Sequence, residues 1–120
     1  MSDLQVQIVP HADGVVVTLV GMADMAGAGV LERQLTFLSA KHPRHVVFDL
    51  AGLTFISSLA MGVLMQFRRG CAIWGGRITL AAVHPTVAMA LKHAALQSLL
   101  PMTPTVSDAL AAEPAPQPAK

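Results

Sequence analysis

One hundred and twenty residues with eight Lys and Arg against seven Asp and Glu give a formal net charge of +1, which offers no electrostatic footprint for nucleic acid. With 53% apolar and 12% charged residues the composition is not that of a disordered chain, and the length suits one domain with one core that needs no staple. The single cysteine, Cys71, excludes an internal disulfide framework and a multi-cysteine zinc site.

Two strand patterns open the chain, Leu4 to Val9 and Val15 to Val20, and the Asp13-Gly14 turn signal between them predicts a β-hairpin. Asp24 then stands where an N-cap belongs, and Val30, Leu31, Leu35 and Leu38 recur at helical spacing with Glu32, Arg33 and Gln34 turned away. Pro43 ends that helix near Lys41. Val46 to Leu50 is almost continuously apolar, the pattern of a strand covered on both faces, and is expected to be the central strand.

After Ser57-Ser58 a second helix carries Ala60, Val63, Leu64, Phe67, Cys71 and Trp74 toward a core, and Gly75-Gly76 stops it. Ser58 is its expected N-cap. Arg77 to Val83 alternates as a strand, His84-Pro85 turns the chain, Thr86 to Leu96 has a third helical pattern, and a short helix spans Val106 to Ala112. Residues 1–112 therefore form one domain, and the Pro- and Ala-containing tail 113–120 is expected to be disordered. The order β-β-α-β-α-β-α predicts an α/β fold, a small mixed β-sheet with helices packed against it.

A mean hydropathy of +0.57 requires either a membrane span or an extended sticky surface. The longest uncharged run, Leu50 to Phe67, is broken by Gly52, Thr54, Ser57, Ser58, Gly62 and Gln66, so a transmembrane helix and direct membrane insertion are rejected in favour of a partner surface. No basic and apolar leader opens the sequence, and a cytoplasmic location is expected.

The phosphate-cradle, dinucleotide, zinc-helix and nucleophile-elbow motifs are all absent, so no cofactor and no catalytic residue is assigned. His42 and His45 sit among Lys41 and Arg44 with no third ligand type nearby, a solvated basic loop rather than a metal pair, and no metal is expected. His84 reads as a turn residue and His93 as a partner of the helix dipole. Asp49 is expected at the end of the central strand, accepting backbone N–H bonds, and Cys71 as an inert core residue. On the second helix Met61, Met65, Arg68 and Ala72 form a stripe about a hundred degrees or more around from the core set. It fits either an adaptable binding surface or a face covered by a neighbouring helix.

Over roughly residues 4 to 112 the chain resembles the STAS domain family, the anti-sigma-factor antagonists and their relatives. The resemblance is carried in order by Val15 to Asp24, a strand ending in Gly-x-x-Asp; by His45 to Leu64, a strand, Asp-Leu and the signature loop; by Gly75-Gly76 with Arg77 to Val83; by Pro85 to Leu100; and by Val106 to Leu110. It implies a binding module whose loop and helix start, from Ser57 onward, dock an anti-sigma factor or serine-kinase-like regulator, with release by serine phosphorylation. Taken together with the stripe on the second helix, this gives Ser57, Ser58, Leu59, Met61, Met65 and Arg68 as the expected partner-binding residues.

The family signature reads Asp-Ser-Ser-Gly-Leu-Gly, the second serine being the acceptor. Aligned without a gap, Ser57 takes the Asp position, Ser58 the first serine and Leu59 the acceptor, so the hydroxyl is lost and Ser58 is the remaining candidate for phosphorylation. Sliding by one would match Ser57-Ser58 to both serines but needs an extra residue before Gly62. A second reading of the resemblance is a soluble STAS subunit of a lipid or anion transport system, and a homo-oligomer remains compatible with either.

Overall fold

A computed structural model describes residues 4–12 and 14–111; Asp13 of the expected turn, and the tail 113–120, lie outside the described residues. Five strands and four helices follow in the order β1 (Gln5–His11), β2 (Gly14–Ala23), α1 (Met25–Ser39), β3 (His45–Ile56), α2 (Ser58–Ile73), β4 (Arg77–Ala81), α3 (Pro85–His93), β5 (Met102–Thr103) and α4 (Val106–Ala111). The strands line up as β1-β2-β3-β4-β5, with β1 antiparallel to β2 and the remaining pairs parallel. The hairpin and the central position of β3 match the sequence expectation.

The parity of β3 explains why it reads as an unbroken apolar run. Val46, Phe48 and Leu50 point into the main core, which is closed by Leu31, Leu35 and Leu38 of α1, Leu64 and Phe67 of α2, and Val87 and Leu91 of α3. Val47 points the other way into a smaller cluster with Ala81 and with Ala109 of α4. Phe48 meets Phe67 edge to face, ring centroids 6.1 Å apart at 88°, and this pair ties α2 to the centre of the sheet.

β3 runs six residues beyond Leu50, and the uncharged segment Leu50 to Phe67 is divided between a strand ending at Ile56 and a helix beginning at Ser58. Register shifts against β2 between Thr18 and Val20 and between Gly21 and Met22 break the alternation that would have shown the extension in sequence. No helix of the described residues is long and apolar enough to cross a membrane. β4 is shorter than expected, ending at Ala81, and β5, two residues between Pro101 and Pro104, has no pattern to announce it.

The opposite end of α2 is tightly stopped. Gly75 has φ +81°, a conformation glycine adopts without a Cβ penalty, and the Gly76 N–H donates to the Cys71 carbonyl at 2.8 Å. Half-buried Trp74 donates its indole N–H to the Pro43 carbonyl at 2.9 Å and stacks on His42 at 4.7 Å, fastening the α1–β3 turn to this helix end.

Candidate functional site

Ala23 and Ile56 are register partners at the carboxyl ends of β2 and β3, and each strand feeds directly into a helix. At the first exit Asp24 caps α1: its Oδ1 accepts from the Gly27 N–H at 2.8 Å. At the second, the Ser57 N–H donates to the Ala23 carbonyl at 2.9 Å, which holds Ser57 in extended geometry, and its Oγ accepts from the Ala60 N–H at 3.1 Å. Two helix starts thus lie side by side at the carboxyl edge of a parallel sheet, where α/β folds place their contacts with other molecules.

The N-cap of α2 is Ser57, which corrects the assignment to Ser58. The backbone bond to Ala23 extends the ladder by one step and leaves Ser57 half in the strand and half in the helix. Ser58 becomes the first helical residue, with its side chain exposed.

Around these two starts the surface is apolar. Met22 and Phe55 are register partners with 39% and 42% of their surfaces exposed, and they sit opposite in parity to the buried pair Ala23 and Ile56. Met25 is 78% exposed at the first position of α1, and Leu59 is 55% exposed at the second position of α2. All four belong to the carboxyl ends of β2 and β3 or to the first residues of the helices that follow, whereas the other exposed large apolar side chains among the described residues, Ile73 and Phe37 the most exposed of them, lie away from these two helix starts. Met22 and Phe55 were missed in sequence because an apolar residue at a strand end reads as core, and only the parity set by the register shifts turns them outward; Met25, the first residue of α1, precedes the apolar periodicity that marks that helix.

The rest of the expected stripe on α2 behaves differently. Met61 is only 9% exposed and belongs to the main core, which corrects its expected outward placement. Met65 is half-buried against the same core, Arg68 is half-buried, and Ala72 is exposed. The buried seam of α2 passes through Ala60, Met61, Leu64, Phe67 and Cys71, while Val63 and Trp74 are half-buried at its margins. The helix is apolar on so many sides that periodicity alone misplaces the seam.

Nothing in this region forms a nucleophile and base pair: the Asp24 carboxylate and the Ser57 hydroxyl are both spent on caps. Asp49 lies within β3 rather than at its end, half-buried between Thr18 and Ala81 in register, and its Oδ1 accepts from the Ala51 N–H at 3.2 Å. His45 Nε2 lies 2.8 Å from the Thr79 hydroxyl, His84 caps α3 by accepting from the Thr86 N–H at 3.2 Å, and His93 is exposed in the last turn of α3. No group of three potential metal ligands occurs among the described residues. Cys71 is buried, and desolvation pushes its thiol up to about 11.

The family model for the STAS domain matches residues 3–109. Among solved structures, an anti-sigma factor antagonist from Mycobacterium paratuberculosis aligns with a TM-score of 0.82 at 25% identity, covering 90% of this chain and 92% of its own. The anti-sigma factor antagonist SpoIIAA in its unphosphorylated form aligns at 0.75 and 20% identity, covering 88% of this chain and 93% of its own. A variant of Moorella thermoacetica RsbS aligns at 0.72 and 20% identity, covering 88% of this chain and 92% of its own.

Proposed function

The chain belongs to the STAS domain family, and from that premise we propose that it is a regulatory binding module whose partner is an anti-sigma factor of the serine-kinase type, docked on the paired helix starts and held there without the family's serine switch. The observation that carries this reading is the exposed apolar end formed by Met22, Met25, Phe55 and Leu59 around Ser57 and Ser58. Burying the exposed parts of those four side chains amounts to about two full side chains, or ~3–6 kcal/mol of gross stabilisation. That is enough to form the centre of an interface whose surroundings contribute little.

The N-cap supports the gapless alignment with the family signature. Ser and Asp serve equally as caps, so Ser57 at the cap occupies the place where the signature has Asp. Leu59 then stands at the acceptor position, displayed at the second residue of the helix with no hydroxyl to modify. A phosphate there would be welcomed by the helix start but would set a dianion in the middle of an apolar contact. Leu59 removes that option and adds apolar area instead, which favours a permanently docked state.

Incubation with the kinase and ATP, followed by mass spectrometry, tests this. The native chain is expected to stay unmodified while Leu59→Ser takes phosphate at position 59; phosphate on Ser58 of the native chain would overturn the switchless reading.

A further inference from the structure

β1 ends the sheet: it pairs with β2 on one side, and no strand of the described residues pairs with the other. Its outward hydrogen-bonding groups follow from the hairpin. His11 and Gly14 flank a two-residue connection, and the pair that closes such a hairpin exchanges both ladder bonds, so Gln5, Gln7, Val9 and His11 spend their backbone groups on β2. The N–H and C=O of Val6 and Ile8 therefore point away from the sheet, together with the Pro10 carbonyl, and Pro10 has no N–H to leave unpaired there. Proline blunts one end of this edge. Gln5 to Val9 carries no charged residue and runs against β2 without a bulge, so neither of those devices guards the rest.

That segment is complementary to itself. Laid antiparallel against a second copy with Gln7 opposite Gln7, it sets Val6 of each chain opposite Ile8 of the other, and every outward N–H of these residues meets an outward carbonyl. Pro10 then falls beyond the segment. Centring the pair one residue later, on Ile8, would face Val6 with Pro10 and leave the Val6 carbonyl without a donor.

The helix above the same edge carries an exposed aromatic ring. α1 packs over β1 and β2, and it turns Glu32, Leu35, Thr36 and Ser39 toward α2. Phe37 is about 150° around the helix from the middle of that set, on the flank over the β1 edge, and is 73% exposed. It also stands level with the centre of the pairing. Gln7 is opposite Thr18, five residues or about 17 Å back from the end of β2, and α1 returns along the sheet by that distance in about eleven residues from Met25, which reaches Thr36. A twofold axis through the Gln7 pair thus brings the two Phe37 rings toward each other above the half-buried Val6 and Ile8 side chains.

We propose that the β1 edge binds a second copy of this chain, β1 against β1 in the Val6–Ile8 register, with Phe37 of each copy closing over the junction. The axis reverses the second sheet, so the apolar helix starts of the two copies lie at opposite ends of the dimer and both stay open.

Sedimentation equilibrium tests the dimer, and disulfide trapping tests its register. The native chain is expected to show a concentration-dependent monomer–dimer equilibrium. Gln7→Lys sets two ammonium groups opposite each other at an exposed position, and Phe37→Ala removes the rings over the axis; each is expected to raise the dimer dissociation constant about fivefold or more. Ile73→Ala, a change at an 87% exposed residue at the end of α2, should associate like the native chain. On oxidation Gln7→Cys should form a covalent dimer, since residues facing each other in a non-hydrogen-bonded pair have Cα atoms about 4.5 Å apart, while Gln5→Cys, about 13 Å from its copy, should not. A native chain that stays monomeric at millimolar concentration, a dimer unaffected by both Gln7→Lys and Phe37→Ala, or equal trapping at positions 5 and 7 would overturn the proposal.

Discussion

Replacing Leu59 by Asp separates folding from docking at a single position. Leu59 is the second residue of α2 and is more than half exposed, so its removal takes little from the core. A carboxylate in the first helical turn is stabilised by the helix dipole by about 0.3–1 kcal/mol, so the melting temperature should hold or rise slightly. Docking responds in the opposite sense. The exposed half of a leucine forfeits ~1 kcal/mol of burial, and a carboxylate that must be desolvated in its place costs at least as much again. A total of about 2 kcal/mol or more corresponds to a roughly thirtyfold rise in Kd. The assay is isothermal titration of the purified anti-sigma factor with native and Leu59→Asp chains, beside thermal melts of both. A native-like Kd with an unchanged melt would refute the assignment of this surface, since neither misfolding nor weak expression could then account for the result.

The caps give a second contrast: Ser57→Ala should lower stability by about 1 kcal/mol through loss of the Ala60 N–H bond, while Ser58→Ala should change it by less than about 0.5 kcal/mol, both read from urea denaturation. Phe48→Ala removes a fully buried ring and its edge contact with Phe67, and a loss of about 3–5 kcal/mol in the same assay is expected. Burial raises the Cys71 thiol from 9.0 to about 11, so between those values the unfolded chain releases a proton that the folded chain retains. Stability should therefore be intact below pH 9 and fall as pH rises through about 11, by at most ~3 kcal/mol, and Cys71→Ala should abolish that decline relative to the native chain.

The hairpin, α1 with its Asp24 cap, the central β3 and the Gly75 stop were legible because each has a local signal whose physics does not depend on the rest of the chain. What was hidden depends on distant residues. Ser57 becomes the cap only because its N–H is claimed by Ala23, thirty-four positions earlier. Met61 looked outward because Val63 and Trp74 drew the estimated seam away from it, whereas the sheet and α1 together define a seam that includes it. Met22 and Phe55 are indistinguishable in sequence from core strand residues, and register shifts against the neighbouring strand decide which face each one takes. β5 owes its existence to pairing with Leu80 and Ala81 rather than to any propensity of its own.

The most direct test of the docking account is amide hydrogen exchange of the chain alone and in complex with the anti-sigma factor proposed as its partner. Added protection is expected at Met25 to Ala28 and Ser58 to Met61, the two helix starts that share the apolar end, with β1 and α4 unchanged. Protection confined to β1 or α4, with the two helix starts exchanging as in the free chain, would contradict it.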